Sequence, residues 1–413
     1  MKKTAAILLS LIFMLSLISC QAVNDFGESI FEPIPNADSF TKTGEGRYNY
    51  QFLTDGQKYA YNAMLDAAFD MKEGAFAVGK IELSELNMVY QVFKDDHPEL
   101  FWMPNNYHYT QRSTGSVKVA FSLDAGADSV DYLYDKETCD NMLDEVNLAI
   151  EDFNSHITPD MDEYEIERTL YNLLAQRTEY NKAAVSDPKD HPEAYNIYGA
   201  LVSKSAVCEG YARAFQLLLR KNDMQSTICY GTSNREEYRD MDVGHAWNVV
   251  RVNGEWYHAD VTWDSSANQE RNMHIYFNLP DHDILADHVI GKDYAVTGEY
   301  VPGENYNFHL PECDSETYSY TAINGTEVDS LQELYDAATL ELEQNAPLGK
   351  TEYLFVFSKD SGIGMDQLDE QELMENLTEC ARQANTRIFD ERISQIQQIG
   401  MGRRVHLSIV MGD

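Results

Sequence analysis

"HAWNVVRVNGEWYHADVTW", residues 245–263, contains two alternating apolar runs on either side of Asn253-Gly254. Asn-Gly between such runs favours a two-residue type I′ turn, because both central residues then take positive φ. The stretch therefore predicts a β-hairpin with strands at "HAWNVVRV" and "EWYHADVTW". A two-residue turn also fixes the register of the hairpin, so each residue of the first strand has a predicted partner on the second.

The predicted register brings a histidine and an aspartate together. Counted outward from the turn, Trp247 lies opposite Asp260. Because side chains alternate along a strand, His245 and Asp260 share one face of the hairpin, together with Trp247 and His258. Asp260 is then a diagonal neighbour of His245, about 7 Å away at the backbone, and one hydrogen bond can bridge the two side chains. A carboxylate on one imidazole nitrogen fixes the tautomer and leaves the other nitrogen free to face a thiol.

A thiol lies at the start of the helix predicted for "SAVCEGYARAFQLLL", residues 205–219. Ser205 is the predicted N-cap, and an apolar stripe follows it. Cys208 then falls in the first turn, where unpaired backbone N–H groups and the helix dipole favour a thiolate. A helix cysteine is more often a small buried apolar residue, so this stretch alone does not distinguish the two roles.

Taken together, "SAVCEGYARAFQLLL" and "GHAWNVVRVNGEWYHADVTWD" resemble the transglutaminase-like superfamily, whose core is related to papain. The resemblance covers roughly residues 164–285. It implies an α+β fold, in which N-terminal helices pack on an antiparallel sheet and smaller α/β domains flank this core. It also implies a catalytic triad, which residue by residue is Cys208, His245 and Asp260. Trp247, His258 and Trp263 are expected to surround the triad.

The chemistry implied by the resemblance is acyl transfer through a thioester, with no cofactor. The backbone N–H of Cys208 is the expected oxyanion donor, and Tyr198 is a candidate for the second donor. Val207 and Glu209 stand where the animal crosslinking enzymes have Gln and Trp, so glutamine crosslinking is not implied. The sequence favours hydrolysis of a peptide or glycopeptide amide over crosslinking.

Two alternatives to this interpretation are open. His245, His258, Asp260 and Cys208 could converge on a zinc ion, but zinc needs tetrahedral closure and would block the nucleophile, so no metal is expected. The domain could also have lost its activity and serve as a binding or scaffold lipoprotein of the cell envelope. The presence of all three triad residues argues against that second alternative.

Other histidines and tryptophans are expected to have structural roles. Five histidines lie in polar or loop segments, and we expect them at the surface or in structural positions: His97, His191, His274, His282 and His288. Three tryptophans could stack on sugars, although core packing is the more common role of such residues: Trp102, Trp256 and Trp263.

Residues 1–20 have the pattern of an export signal. Lys2 and Lys3 precede an apolar run that is short for a membrane span, and "LISC" follows it. This end resembles the lipobox of bacterial lipoproteins, which implies that Cys20 is lipidated and anchors the protein to the outer face of a bacterial membrane. Residues 21–46 are expected to form a flexible tether.

The formal net charge is −38, from 69 acidic and 31 basic residues. Nucleic acid and anionic lipid headgroups would be repelled, so the expected partners are a protein, peptide or glycopeptide substrate and, through the lipid anchor, the membrane. The cysteines other than Cys20 are far apart and form no Cys-x-x-Cys pair. This spacing indicates neither a zinc ribbon nor a dense disulfide scaffold.

Hydrophobic periodicity divides the chain after the tether into three predicted domains. Residues 47–155 predict an N-terminal α+β domain, residues 156–300 the transglutaminase-like domain, and residues 301–413 a small α/β domain with the order β-α-β-α-β. "SYTAIN" at residues 319–324 is the first predicted strand of this last domain. Thr158-Pro159 and Asp160 mark the predicted start of the helix that leads into the central domain.

Overall fold

The computed structural model describes residues 40–123, 132–233, 244–267, 274–294, 306–384 and 393–411. The export signal, Cys20 and most of the tether lie outside these ranges, so the lipid anchor stays a prediction. Within the described ranges, no helix has both the length and the apolarity needed to cross a membrane.

The N-terminal part consists of three helices and a small sheet. Its elements in chain order are α1 (Asp55–Phe69), β1 (Phe76–Lys80), α2 (Leu83–Asp96), β2 (Asn106–Gln111), β3 (Ser116–Ser122) and α3 (Lys136–Asn154). The sheet is antiparallel with the order β1-β3-β2. Helix α1 begins with a capping box, because Thr54 and Gln57 each accept the other's backbone N–H.

The central part packs helices on a larger antiparallel sheet. Its elements are α4 (Glu163–Arg177), β4 (Glu179–Tyr180), α5 (Lys182–Ser186), α6 (Ile197–Leu201), β5 (Ser205–Ala206), α7 (Cys208–Arg220), β6 (Ser226–Ser233), β7 (His245–Val252), β8 (Glu255–Ala259), α8 (Val261–Ala267), α9 (Asp281–Ile284), β9 (His288–Ile290), β10 (Lys292–Asp293) and β11 (Tyr306–Asn307). The sheet has the order β8-β7-β6-β9, and all its pairs are antiparallel. Helices and an antiparallel sheet in separate layers make the fold α+β.

The β7–β8 hairpin has the predicted turn. Asn253 and Gly254 have φ values of 49° and 95°, the positive values that a type I′ turn requires. The ladder has the predicted register from the pair Val252–Glu255 to the pair Val249–His258. The local turn chemistry therefore sets the register of this part of the sheet.

The second strand of the hairpin is shorter than predicted. β8 ends at Ala259, and the predicted strand residues that follow Asp260 form helix α8 instead. Oδ1 of Asp260 accepts the backbone N–H groups of Thr262 at 2.9 Å and Trp263 at 3.2 Å. These bonds cap the first turn of a helix, which overrides the strand preference of the β-branched residues there.

Helix α4 also starts later than predicted. Asp162, rather than the segment from Thr158 to Asp160, is the N-cap, and it forms a capping box with Glu165. The aspartate that satisfies the first backbone N–H groups decides where the helix begins.

Helix α7 is held against the N-terminal part by two arginines. Arg213 donates to the carboxylate of Asp95 at 3.1 Å, and Arg220 donates to the carboxylate of Glu99 at 2.5 Å. One continuous apolar core includes residues of both the N-terminal and the central part, from Tyr50 to Phe277 in sequence. The N-terminal part therefore helps to position α7.

The C-terminal part has an apolar core of its own. Its elements are α10 (Tyr320–Asn324), β12 (Thr326–Val328), α11 (Leu331–Asn345), β13 (Glu352–Phe357), α12 (Glu370–Ala384), β14 (Ile393–Met401) and β15 (Arg404–Met411). The sheet order is β12-β13-β15-β14.

Two sequence predictions for the C-terminal part are wrong. "SYTAIN" is not a strand: Ser319 caps the short helix α10 by accepting the N–H of Ala322, and the first strand follows at Thr326–Val328. Strand β14 was not predicted, and it pairs antiparallel with β15 at the edge of the sheet. In both places hydrogen bonding, rather than the apolar pattern, decides the element.

Glu167 is a buried acid in α4. Its Oε2 accepts a hydrogen bond from Nδ2 of Asn278 at 2.8 Å. Oε1 of Glu167 and Oδ1 of Asn278 are both buried without a hydrogen-bond donor. Protonation of Glu167 would add a donor among these acceptors. Burial raises the pKa of Glu167 to about 8, against the lowering effect of the Asn278 hydrogen bond.

We expect Glu167→Gln to remove a pH dependence of stability. Between pH 4.5 and about 8 the folded chain keeps a proton that the unfolded chain has lost. The free energy of unfolding of the wild type therefore falls as the pH rises, by about 1.4 kcal/mol per pH unit from this group. Urea unfolding at pH 5 and pH 7.5 should show the variant gaining stability relative to the wild type at the higher pH. Parallel pH curves for the two proteins would contradict the prediction.

Candidate active site

The thiol of Cys208 lies where α7 begins. Cys208 is the first helical residue, and the extended Val207 before it donates its N–H to the carbonyl oxygen of Ala194 at 2.9 Å. Ser205 is not the N-cap that the sequence predicts, because it pairs with Glu179 in the short β4–β5 ladder. No side chain caps α7, so the N–H groups of its first turn remain a favourable setting for an anion.

Cys208 differs from the other cysteines in its surroundings. All five cysteines of the described residues are buried and free, so Cys208 is not bound to Cys229. Burial raises the thiol pKa of the other four, which are Cys139, Cys229, Cys313 and Cys380. Cys208 lies close enough to His245 for its hydrogen bonding and charge to raise the pKa of that imidazole. A buried thiol without such a partner is inert, whereas one beside an imidazole can be deprotonated.

His245 connects the thiol to a carboxylate. Its Nε2 lies 2.6 Å from Oδ2 of Asp260, which leaves the other ring nitrogen for Cys208. Burial on its own would lower the pKa of His245, but the charge and hydrogen bond of Asp260, and then those of Cys208, raise it to about 10. The ring stacks on Trp263 with centroids 5.2 Å apart and on Trp247 with centroids 5.6 Å apart. These contacts fix the plane of the imidazole.

Asp260 is fully buried and takes hydrogen bonds on both oxygens. Oδ1 accepts the two backbone N–H groups that start α8, and Oδ2 faces His245 at 2.6 Å and His288 at 3.2 Å. Burial would raise the pKa of Asp260, but the two imidazoles hold it well below its usual range. The carboxylate is therefore ionised and cannot rotate away from His245 without losing bonds at both oxygens.

His258 lies near Cys208, His245 and Asp260 but hydrogen-bonds to other residues. Its Nδ1 accepts the indole N–H of Trp247 at 2.9 Å, and its Nε2 lies 2.8 Å from Oδ1 of Asp281. Because Nδ1 accepts, Nε2 carries the proton that is donated to Asp281. The zinc alternative built on His245, His258, Asp260 and Cys208 therefore lacks one of its four ligands.

Two groups of three side chains in the described residues have the composition of a metal site. They are His245, Asp260 and His288, and His258, Asp281 and Cys313. In the first, the 2.6 Å bond between imidazole and carboxylate leaves no space for an ion between them. In the second, the indole of Trp247 takes the lone pair of His258 Nδ1. Hydrogen bonding accounts for the imidazoles of both groups.

Tyr198 is engaged elsewhere. Its hydroxyl donates to Oε2 of Glu145 on α3 at 2.5 Å, and its ring packs against Phe101. This contact directs the hydroxyl towards α3 rather than towards the thiol. The backbone N–H of Cys208 stays the predicted oxyanion donor.

His288 is a buried contact of the candidate site that the sequence analysis did not single out. It is not in a surface position: it is 1% exposed, and it binds Asp260 and Asp287. The sequence carries no local signal for this contact, because strands β6 and β7 lie between β9, which begins at His288, and β8, which ends just before Asp260. His97 and His274 are buried in structural positions, and they bind Glu99 and Asn172 respectively. The two remaining histidines are partly exposed beside acidic side chains: His191 and His282.

Of the three tryptophans considered for sugar stacking, two pack in the fold and one contacts the candidate site. Trp102 is buried and donates its indole N–H to the carbonyl oxygen of Ala68, and Trp256 packs edge-on against Tyr48. Trp263 is half-buried and covers His245. Only Trp263 among these three therefore contacts the candidate site.

Residues 151–261 match the family model described as the transglutaminase-like superfamily. The chain is similar to kyphoscoliosis peptidase of Mus musculus, with 23% identity over 230 residues, 48% of this chain and 33% of that protein. It is also similar to kyphoscoliosis peptidase of Homo sapiens, with 29% identity over 103 residues, 24% of this chain and 15% of that protein. The matched region thus spans about a third or less of these curated relatives.

A solved structure described as "Crystal structure of a TGase" is similar at a TM-score of 0.27 and 10% identity, over 47% of this chain and 51% of that chain. A score this low does not bear on the fold.

We expect Asp260→Asn to lower the pKa of His245 from about 10 towards the ordinary histidine value of 6.5. Asparagine removes the charge that stabilises the imidazolium and leaves burial to oppose it. In the wild type the raised pKa stabilises the fold below pH 6.5, and this contribution disappears as the pH rises through about 10. Imidazole ¹⁵N NMR across this range measures the titration directly. A signal of His245 that titrates alike in both proteins would contradict the assigned pair.

Proposed function

We propose that the protein is a cysteine acyl-transfer enzyme that acts on amide bonds, and the match of residues 151–261 to the transglutaminase-like superfamily supports this proposal. The observation that carries the proposal is the meeting of three buried side chains: Nε2 of His245 lies 2.6 Å from Oδ2 of Asp260, and Cys208 is close enough to raise the pKa of His245. A thiol at a helix start, an imidazole and a buried carboxylate, in that order, constitute the apparatus of a cysteine nucleophile. The papain-like arrangement of the core is what the sequence resemblance implies, and the layers of helices and antiparallel sheet are consistent with it.

The proposed reaction proceeds through a thioester. His245 takes the proton of Cys208, and the sulfur attacks the amide carbonyl carbon to form a C–S bond. The backbone N–H of Cys208 is the proposed donor to the oxyanion. The C–N bond then breaks as His245 returns the proton to the leaving amine. Water attacks the thioester with His245 as its base, the C–S bond breaks, and the thiol is restored.

Hydrolysis is the outcome that the sequence and the relatives favour. Val207 and Glu209 differ from the residues that flank the cysteine of the animal crosslinking enzymes. The curated relatives carry the name peptidase. We therefore propose a peptide or glycopeptide amide as the substrate and water as the acyl acceptor.

The proposed location is the outer face of a bacterial membrane, with Cys20 as the lipidated residue. The basic Lys2 and Lys3, the short apolar run and "LISC" support this assignment. In the native host, mass spectrometry of the N-terminal peptide should find acyl chains on Cys20. Cys20→Ser should lose them and leave the protein unanchored, whereas a lipid-free wild-type peptide would contradict the anchor.

We expect iodoacetamide to alkylate Cys208 rapidly well below pH 8.5, the ordinary pKa of a free thiol. An imidazolium beside the sulfur stabilises the thiolate, so His245→Ala should slow the alkylation at pH 6.5 by at least tenfold. His282→Ala is the matched control, because His282 also faces carboxylates but has no contact with Asp260. The rate is measured by mass spectrometry of the peptide that contains Cys208.

Equal alkylation in the wild type and His245→Ala would overturn the acyl-transfer proposal and favour the binding or scaffold alternative. If alkylation confirms that His245 activates Cys208, the next experiment incubates the protein with peptide amides, with and without a primary amine. It shows whether water or the amine accepts the acyl group. The expected result is a free carboxylate product, and incorporation of the amine would establish crosslinking instead.

A further inference from the structure

His288 is brought to Asp260 by the topology of the sheet. It is the first residue of β9, which pairs with β6 through Ser233, while His245 pairs with Gly231 on the other side of the same strand. Its Nε2 lies 3.2 Å from Oδ2 of Asp260. Two histidines thus approach the same carboxylate oxygen.

The second nitrogen of His288 also faces a carboxylate. Nδ1 lies 2.7 Å from Oδ1 of Asp287, whose Oδ2 accepts the hydroxyl of Tyr276 at 2.7 Å. Carboxylate oxygens are acceptors, so both ring nitrogens of His288 are required as donors. An imidazole that donates from both nitrogens carries a positive charge. The contacts therefore assign a buried cation between two carboxylates.

Aromatic rings surround this cation. The centroid of the His288 ring is 4.2 Å from that of Trp263, 4.9 Å from that of Trp247 and 5.4 Å from that of Tyr276. These walls exclude water, which makes charge pairing stronger and an unpaired carboxylate more costly. The same rings hold the imidazole in the plane that serves both carboxylates.

We propose that His288 is a positioning residue of the acyl-transfer reaction, which keeps Asp260 ionised and its Oδ2 directed at Nε2 of His245. The inference rests on the proposed function, and it extends the chain of the site by Asp287 and Tyr276. His288 acts on the thiol only through Asp260 and His245.

Asp260 needs a cation beside it because a second buried carboxylate, that of Asp287, lies close by. Asp260 and Asp287 both face His288 in a buried space. The rings of His245 and Tyr276 have centroids 5.5 Å and 5.4 Å from that of His288, and the charge of His288 also acts on His258 of β8. Without a cation between them, two buried carboxylates cannot both stay ionised at low cost, so one takes up a proton. A protonated Asp260 would no longer stabilise the imidazolium of His245, and the thiolate would be lost.

The test compares His288→Leu with His288→Gln by the pH dependence of Cys208 alkylation. Leucine removes both the charge and the donor, and we expect a maximal rate at least tenfold lower. Glutamine keeps an N–H donor for Asp260 without the charge, and we expect its maximal rate to stay within about threefold of the wild type. In both variants the pH of half-maximal alkylation should rise by at least half a unit, since the thiolate is less favoured. His282→Leu serves as the control and should change neither quantity.

A variant that merely damages the fold gives a different result. Loss of rate in both variants without a shift of the half-maximal pH would overturn the proposal, and so would wild-type behaviour of His288→Leu. If His288→Leu does not fold, which thermal melting by circular dichroism shows, the pH shift of His288→Gln decides. If His245→Ala slows alkylation and the His288 variants do not, the acyl-transfer proposal stands and the positioning role of His288 is overturned. Unchanged alkylation in His245→Ala overturns both.

Discussion

The carboxylate of Asp260 is the group on which the site depends. It is fully buried, and its two oxygens face four hydrogen-bond donors. The bonds at Oδ1 end strand β8 and begin helix α8, while the contacts at Oδ2 orient His245 and meet His288. One side chain therefore sets a boundary of the fold and the direction of the imidazole. Because a buried carboxylate is costly without partners, its donors are as constrained as the carboxylate itself.

The position of the thiol depends on parts of the chain that contribute no triad residue. Arg213 on α7 binds Asp95, and Asp95 also accepts the hydroxyl of Tyr230, which packs against the apolar cluster that contains Cys208. The N-terminal part is thus connected to the surroundings of the nucleophile by buried polar contacts. Such contacts leave little freedom for α7 to shift, since moving the helix would leave charges unpaired.

The C-terminal part contacts a segment that borders the site. Arg404 donates from Nη1 to the carbonyl oxygen of Ile275 at 2.7 Å. The next residue, Tyr276, accepts the backbone N–H of Asp260 and donates its hydroxyl to Asp287. The segment that carries these two bonds is therefore in direct contact with the C-terminal sheet.

The elements that depend on neighbouring residues could be predicted from the sequence, whereas contacts between distant residues could not. The Asn253-Gly254 turn gave the register, and through it the meeting of His245 with Asp260, because a two-residue turn is decided by its own φ angles. The apolar stripe after Cys208 likewise predicted a helix whose first turn holds the thiol. The identity of its N-cap and the role of His288 were not predictable in this way. Each depends on a partner far along the chain: Ser205 on the β4–β5 ladder, and His288 on a sheet order in which β6 separates β7 from β9. The end of β8 was missed for a local reason, because the side chain of Asp260 accepts the N–H groups that start α8. The sequence by itself determined the hairpin, the helix and the pair of residues they present, since these follow from local dihedral and periodicity preferences. Only the tertiary structure decided which buried charges meet, because the cost of burying a charge is offset by partners that chain folding alone brings within hydrogen-bond distance.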